Sequence, residues 1–257
     1  MSSDGILKPA VLLLVEEAIE AGMQRVVIVV SKAHYAAFEA LFHSHPEVSE
    51  YNQLPSRLQA YSEQIQQIGK AVTLVRQEEQ LGLGHAAALS SDPFLLMLGD
   101  HLYSSHTPSS CTRQLVDAFQ GVSLLALHLT PESDLHHFGC ATGSWHGAMQ
   151  QRLDLKLLVE KPTVQFAREH LRVAGLPVGE YLTPFGLYVI SDPSIFGKIE
   201  AFGREGGLMQ LTPALDQLRA ECGLQGFLIE GERYDLGGDP STYVRTLQAL
   251  AKPGDCS

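Results

Sequence analysis

Phe94-Leu95-Leu96-Met97-Leu98-Gly99-Asp100 decides the fold class. An unbroken apolar run of this length reads as a strand buried on both faces, and such strands belong to sheets covered by helices on each side. The run closes on a glycine and a carboxylate. In open α/β sheets ligands sit beyond the carboxyl ends of the strands. Asp100 is therefore positioned to meet a ligand, and an aspartate is a hard oxygen donor suited to a magnesium ion on phosphates. A strand-end aspartate also caps ordinary turns, so the stretch fixes a fold class before it fixes a function.

Working outward, Val26–Val30, Ala71–Val75 and Val122–Leu127 repeat the short apolar texture. Helical periodicity fills the gaps. Val11, Leu14, Val15, Ala18 and Ile19 follow i, i+3, i+4 spacing, with Pro9 suited to a first turn and Gly22 to a stop. Further helices are expected around His34–His43, Leu54–Ile68, Gly84–Ser90 and Ser109–Phe119. Strands alternating with helices predict βαβ units, hence an α/β, Rossmann-like mixed and mostly parallel sheet flanked by helices. Beyond about Pro131 the segments shorten and carry more Gly and Pro. Leu153–Val159 alternates, Phe185–Ile190 reads as a strand, and Thr163 caps a helix through Leu171. Leu211–Glu221 is a helix, Gly223–Ile229 a weak strand, and Asp239-Pro240 opens a last helix. The expectation is one domain over residues 1–257, a nucleotide-binding half over about 1–130 and a substrate half over 131–257.

Of 257 residues, 45% are hydrophobic and 18% charged, which is ordinary globular composition. Eighteen Lys and Arg against 29 Asp and Glu give a formal charge of −11. That balance argues against a nucleic-acid groove and against binding to an anionic membrane surface. An anionic small molecule must then be held by a few placed cations, backbone N–H groups or a metal. No apolar run approaches the ~20 residues of a membrane span, and no signal peptide is visible. The cysteines, Cys111, Cys140, Cys222 and Cys256, are far apart, so a reducing cytoplasm is the expected location.

Four more stretches hold groups fit for chemistry. Val75-Arg76-Gln77 ends a strand and precedes Gly82-Leu83-Gly84-His85-Ala86. Glycines let the backbone approach a base or phosphate, and Gln77 carries the donor and acceptor that a pyrimidine edge requires. Val159-Glu160-Lys161-Pro162 offers Glu160 to sugar hydroxyls and Lys161 to a phosphate. Tyr234-Asp235-Leu236-Gly237-Gly238 brings a second carboxylate beside glycines. Each also has a bland reading as a turn or a solvated pair. No His-Glu-x-x-His, Gly-x-Ser-x-Gly or Gly-Lys-Ser/Thr pattern occurs.

These pieces, together with Lys8-Pro9, Phe138-Gly139, Gly186-Leu187-Tyr188-Val189 and Gln210-Leu211-Thr212, occur in a specific order. In that order the chain resembles the bacterial UTP–glucose-1-phosphate uridylyltransferases of the sugar-phosphate nucleotidylyltransferase family. The resemblance spans nearly the whole chain and implies the nucleotide-diphospho-sugar transferase fold. It implies that Gln77, Gly82 and Asp100 meet the nucleotide, with Gln77 and Gly82 on the uracil, and that Asp100 and Asp235 hold Mg2+. It further implies that Gly139, Glu160, Lys161 and Gly186 line the glucose 1-phosphate site, with Asp100, Lys161 and Asp235 as the catalytic set. The implied partners are UTP, glucose 1-phosphate, UDP-glucose and pyrophosphate, with no nucleic acid and no membrane. A homo-oligomer is compatible with it, and glucose and galactose stay open because they differ at one hydroxyl.

Departures from the family pattern give further expectations. A first strand, a Gly-x-Gly-Thr-Arg loop and a lysine normally precede the equivalent of Lys8-Pro9, and here only seven residues do. The sequence thus reads as N-terminally truncated and lacking the first strand, with two neighbouring strand edges exposed. Leu208 stands where the family has a glutamate. The alternative is a non-catalytic or fragment homologue that binds sugar nucleotide without turnover. Intact Asp100, Glu160, Lys161 and Asp235 favour the enzyme. A glycosyltransferase of related fold would carry Asp-x-Asp, and Gly99-Asp100-His101 does not.

Overall fold

The structure is a computed structural model and describes residues 8–77, 93–148, 150–206 and 211–237, with 244, 246 and 248. Helix α1 (Ala10–Glu20) follows Pro9, which sits at the N-cap rather than inside the first turn. It ends where Gly22 turns at φ +102°, with Gly22 N–H on Ile19 O and Met23 N–H on Ala18 O. This paired closure needs the left-handed conformation that glycine adopts without a Cβ penalty. Leu12, Leu14, Val15 and Ala18 are the buried face.

The first layer continues through β1 (Val26–Ser31), α2 (Tyr35–His43), α3 (Val48–Gln53), α4 (Ser56–Gly69) and β2 (Val72–Gln77). Strands β1 and β2 pair in parallel, as a βαβ crossover requires. Leu12, Val15, Phe42 and Val72 form the core between them and the helices.

The rest of the chain supplies β3 (Phe94–Met97), β4 (His101–Ser105), α5 (Cys111–Ala118), β5 (Leu124–Pro131), a 3-10 turn (Glu132–His137) and β6 (Cys140–Trp145). Then follow β7 (Arg152–Val159), α6 (Val164–His170), β8 (Glu180–Ile190), α7 (Ile195–Gly206), α8 (Leu211–Cys222), β9 (Gln225–Leu228) and β10 (Gly231–Asp235). Six strands form one sheet in the order β3-β8-β5-β9-β7-β6, and β4 pairs with β10 in a separate ribbon. Side-chain alternation divides the sheet between two cores. Leu124, Ala126, Leu187 and Val189 pack with Cys111 and Leu115 of α5. Leu125, Leu127, Tyr188 and Ile190 pack with Ile195, Ile199, Leu215 and Leu218 of α7 and α8. Leu124 to Leu127 are wholly buried. Thr163 caps α6 as expected, its hydroxyl accepting from Phe166 N–H at 3.2 Å.

The mixed α/β architecture agrees with expectation, but the strand directions differ in balance. Among the described residues only β1–β2 and β5–β9 run parallel, and the remaining pairs are antiparallel. An unbroken apolar run reports burial on both faces and says nothing of direction. Here β8 runs antiparallel to both β3 and β5, so the central strands are fully covered without a crossover between them. Strands β4, β6 and β10 were not expected. His101-Leu-Tyr-Ser-Ser and Gly231-Glu-Arg-Tyr-Asp carry too many polar groups to read as strands, and they pair with each other over a long separation. Strand β1 pairs only with β2, and β3 only with β8, among the described residues. Gly84–Ser90 lies outside the described residues, as does nearly all of the segment from Asp239.

One half-buried carboxylate docks α1 on α5. Glu17 Oε1 accepts from Thr112 N–H at 3.2 Å and Thr112 Oγ1 at 2.8 Å. Burial raises its pKa, against the two Thr112 bonds. A raised carboxyl pKa means that ionisation opposes folding, so this cost is present above the folded pKa and is relieved as pH falls. Glu17→Gln keeps an acceptor and removes the charge, and should melt no lower than wild type at pH 7. Glu17→Ala strands two Thr112 donors and should lose about 1–3 kcal/mol. Thermal melts of both variants at pH 7 check this; equal destabilisation would overturn it.

Candidate active site

The β4–β10 ribbon brings the two predicted metal carboxylates together. Asp235 is the register partner of His101, the residue after Asp100, and Leu236 N–H donates to Asp100 O at 2.7 Å. Asp235 Oδ1 accepts from Gly237 N–H at 2.7 Å. A Cβ on Gly237 would lie 3.0 Å from Asp100 Oδ2, so glycine keeps space open beside that carboxylate. His101 Nδ1 stands 3.1 Å from Asp100 Oδ1, and no other polar group meets this buried nitrogen among the described residues. The His101 imidazole is the main influence holding the Asp100 carboxyl below the usual carboxylate range; Arg233 adds to it, and partial burial opposes it. Among the described residues no three His, Cys, Asp or Glu side chains gather as a metal cage. Two carboxylates beside a space reserved by glycine fit a hard divalent ion whose other ligands come from substrate oxygens.

Gly186 joins this ribbon to the main sheet. Between Leu125↔Tyr188 and Leu127↔Pro184, one residue of β5 faces three of β8, a bulge of the kind that re-aims a strand beside a site. Gly186 takes φ +92° there, and its Cβ would stand 3.2 Å from both His101 Nδ1 and the Tyr103 hydroxyl. Its carbonyl accepts from Tyr103 Oη at 3.0 Å and from Leu98 N–H at 3.2 Å.

A second cluster forms where β7 ends. A Cβ on Gly139 would meet Thr212 Oγ1 at 3.1 Å and Glu160 Oε2 at 3.4 Å, so three separate segments pack closely at one point. Lys161 N–H donates to Phe138 O at 3.2 Å. Lys161 itself takes φ +43°, a conformation that costs a side-chain-bearing residue and concentrates at functional sites.

Gln77 ends β2 opposite Ser31, at the carboxyl end of its strand. It shares no hydrogen bond or ion pair with the other predicted site residues that are described. Gly82 and the rest of Gly82–Ala86 lie outside the described residues, and so does Leu208. No described helix is long and apolar enough to cross a membrane.

No protein-family model matches the chain. Individual relatives do. A UTP–glucose-1-phosphate uridylyltransferase of Staphylococcus epidermidis is 30% identical over 260 residues, covering 97% of this chain and 84% of that protein. This chain belongs to the UTP–glucose-1-phosphate uridylyltransferase family. The solved structure of an apo UDP-glucose pyrophosphorylase superposes with a TM-score of 0.76 at 26% identity, over 95% of this chain and 86% of that one. A UDP-glucose pyrophosphorylase complexed with UDP-glucose gives a TM-score of 0.73 at 24% identity over the same shares, and supports the fold.

For a uridylyltransferase of this family the sequence left three groups unremarked at the site: Arg233, His101 and Tyr103. Period-2 alternation puts Arg233 on the same face of β10 as Asp235, and His101 with Tyr103 on the matching face of β4. That signal was present in Arg233-Tyr234-Asp235, but it can be read only once the segment is known to be a strand.

Proposed function

We propose that this chain transfers the uridylyl group of UTP to glucose 1-phosphate, giving UDP-glucose and pyrophosphate. The observation that supports the reading is the main-chain Leu236 N–H···O Asp100 bond, which sets the Asp100 and Asp235 segments side by side beyond the end of a sheet strand, in a chain 30% identical to a uridylyltransferase over 97% of its length.

In this reaction a phosphate oxygen of the sugar phosphate attacks the α-phosphorus of UTP in line. The new P–O bond forms as the bond to pyrophosphate breaks, and pyrophosphate leaves with the electron pair. The protein's work is alignment and charge balance. Asp100 and Asp235 would hold Mg2+, which when bound neutralises charge on the phosphates. Gly139 leaves room for the sugar, Glu160 accepts hydrogen bonds from its hydroxyls, and Lys161 orients its phosphate for the attack. Gly186 shapes the pocket floor. Gln77 reads the uracil edge, with Gly82 giving the base close access to the backbone.

The test is pyrophosphate release by the purified chain with Mg2+, UTP and glucose 1-phosphate. Release should require both substrates and produce UDP-glucose in equal amount, and should fall when dTTP replaces UTP or galactose 1-phosphate replaces glucose 1-phosphate. Saturable binding of both substrates with no pyrophosphate released would instead mark a sugar-nucleotide binder.

A further inference from the structure

Arg233 is the cation that the assignments above leave without a task. It lies on β10 two residues before Asp235, facing the same way, with Tyr103 as its register partner. Its guanidinium lies over the Phe138 ring, 4.1 Å from the ring centre, and Nη1 donates to Pro184 O within the β8 bulge. Phe138 is the residue before Gly139, and its carbonyl is the one that holds Lys161 N–H. Arg233 therefore links the β10 strand that carries Asp235 to the Phe138-Gly139 segment, and through it to Glu160, Lys161 and Thr212. It forms no salt bridge with a described carboxylate, although the charges of Asp100 and Asp235 are felt at the site.

A charge taken out of water without an ionised partner is costly. Asp100 and Asp235 would not offset that cost if they hold a divalent ion when the substrates are bound. A guanidinium stays protonated in proteins, so the cation persists at this half-buried position. Stacking on Phe138 and bonding to Pro184 O fix the plane of the group and use only part of its five-donor fork. A planar fork held on one side presents its remaining N–H groups to a tetrahedral oxyanion. Set between Asp235 on its own strand and the Phe138-Gly139 segment, those N–H groups lie in the region that the proposed reaction gives to the phosphate of the sugar phosphate.

We propose that Arg233 is a second phosphate clamp, gripping the phosphate of the sugar phosphate opposite Lys161. The proposal rests on the uridylyltransferase reading. It goes beyond it by assigning acceptor recognition to a β10 side chain. With Lys161 and Arg233 on opposite flanks, the attacking oxygen is set in line, and an unphosphorylated sugar gains nothing from either cation.

The experiment compares wild type, Arg233→Lys and Arg233→Gln by calorimetric titration with glucose 1-phosphate and, separately, with UTP and Mg2+, alongside steady-state KM and kcat. Arg233→Gln should weaken glucose 1-phosphate about 30-fold or more while UTP binding changes less than 3-fold. Arg233→Lys keeps the charge but loses the fork, and should give an intermediate loss of about 5- to 10-fold. If the Gln variant does not fold, judged by its melt, the Lys variant alone decides. Equal weakening of both ligands, or wild-type glucose 1-phosphate affinity in Arg233→Lys, would overturn the clamp. Wild-type protein that binds UTP and glucose 1-phosphate normally keeps that failure apart from failure of the functional reading, in which wild type binds neither.

Discussion

Asp100→Asn and Asp235→Asn are each expected to lower turnover by about 10²–10³, the loss that follows removal of one preorganised group facing transition-state charge, about 2.7–4 kcal/mol. The fold should survive either change. The main-chain bond from Leu236 N–H to Asp100 O does not involve the side chain, and an asparagine at 235 still offers an oxygen to Gly237 N–H. The double variant is the sharper measurement. Two carboxylates serving one ion act as a unit, so the second substitution should add little to the first. Initial rates of pyrophosphate release at saturating substrates, with Mg2+ raised stepwise, give all three losses, and melts confirm folding. Two independent losses that multiply in the double variant would mean that the carboxylates do not share an ion.

The carboxylate pair also shows how far the residues could be read without coordinates. Asp100 was legible because the apolar run before it is a strand on any reading, and a strand has a carboxyl end. Asp235 was legible by itself as a carboxylate beside glycines, and as a partner of Asp100 only through the ordered resemblance, since Glu232-Arg233-Tyr234 carries no apolar stripe. Strand β10 exists because β4 pairs with it, and a non-local partner leaves no mark on local spacing. For the same reason Arg233 and His101 went unread, and Gly186 gave no hint of the bulge that makes it a glycine. Sheet direction was hidden too. Leu124 to Leu127 are buried on both faces whichever way their neighbours run. The Gly139–Glu160–Thr212 cluster was half legible: Glu160 was picked out by chemistry and Gly139 by the ordered resemblance, while the approach of Thr212 depends on where α8 begins.

Lys161 offers a test in which stability and activity should part company. Its φ of +43° is a conformation that glycine accepts and lysine does not accept freely. The strain of such a residue is about 1–3 kcal/mol, and a glycine adds back about 0.4–1 kcal/mol through the freedom of the unfolded chain. Lys161→Gly should therefore melt no lower than wild type. The side chain is exposed and has no described ion-pair partner, so little packing is lost. If the strained turn is kept because it aims the ammonium at the sugar phosphate, the same substitution should raise the glucose 1-phosphate KM by about 10- to 100-fold, the equivalent of a charged hydrogen bond of about 1.5–3 kcal/mol, with the UTP KM much less affected. Lys161→Ala separates the two effects further, because alanine keeps the backbone strain and loses the ammonium: it should share the catalytic defect without the gain in melting temperature. Normal kinetics in Lys161→Gly would return Glu160-Lys161 to an ordinary solvated turn. A melting temperature several degrees below wild type would show instead that the lysine stabilises the turn it strains.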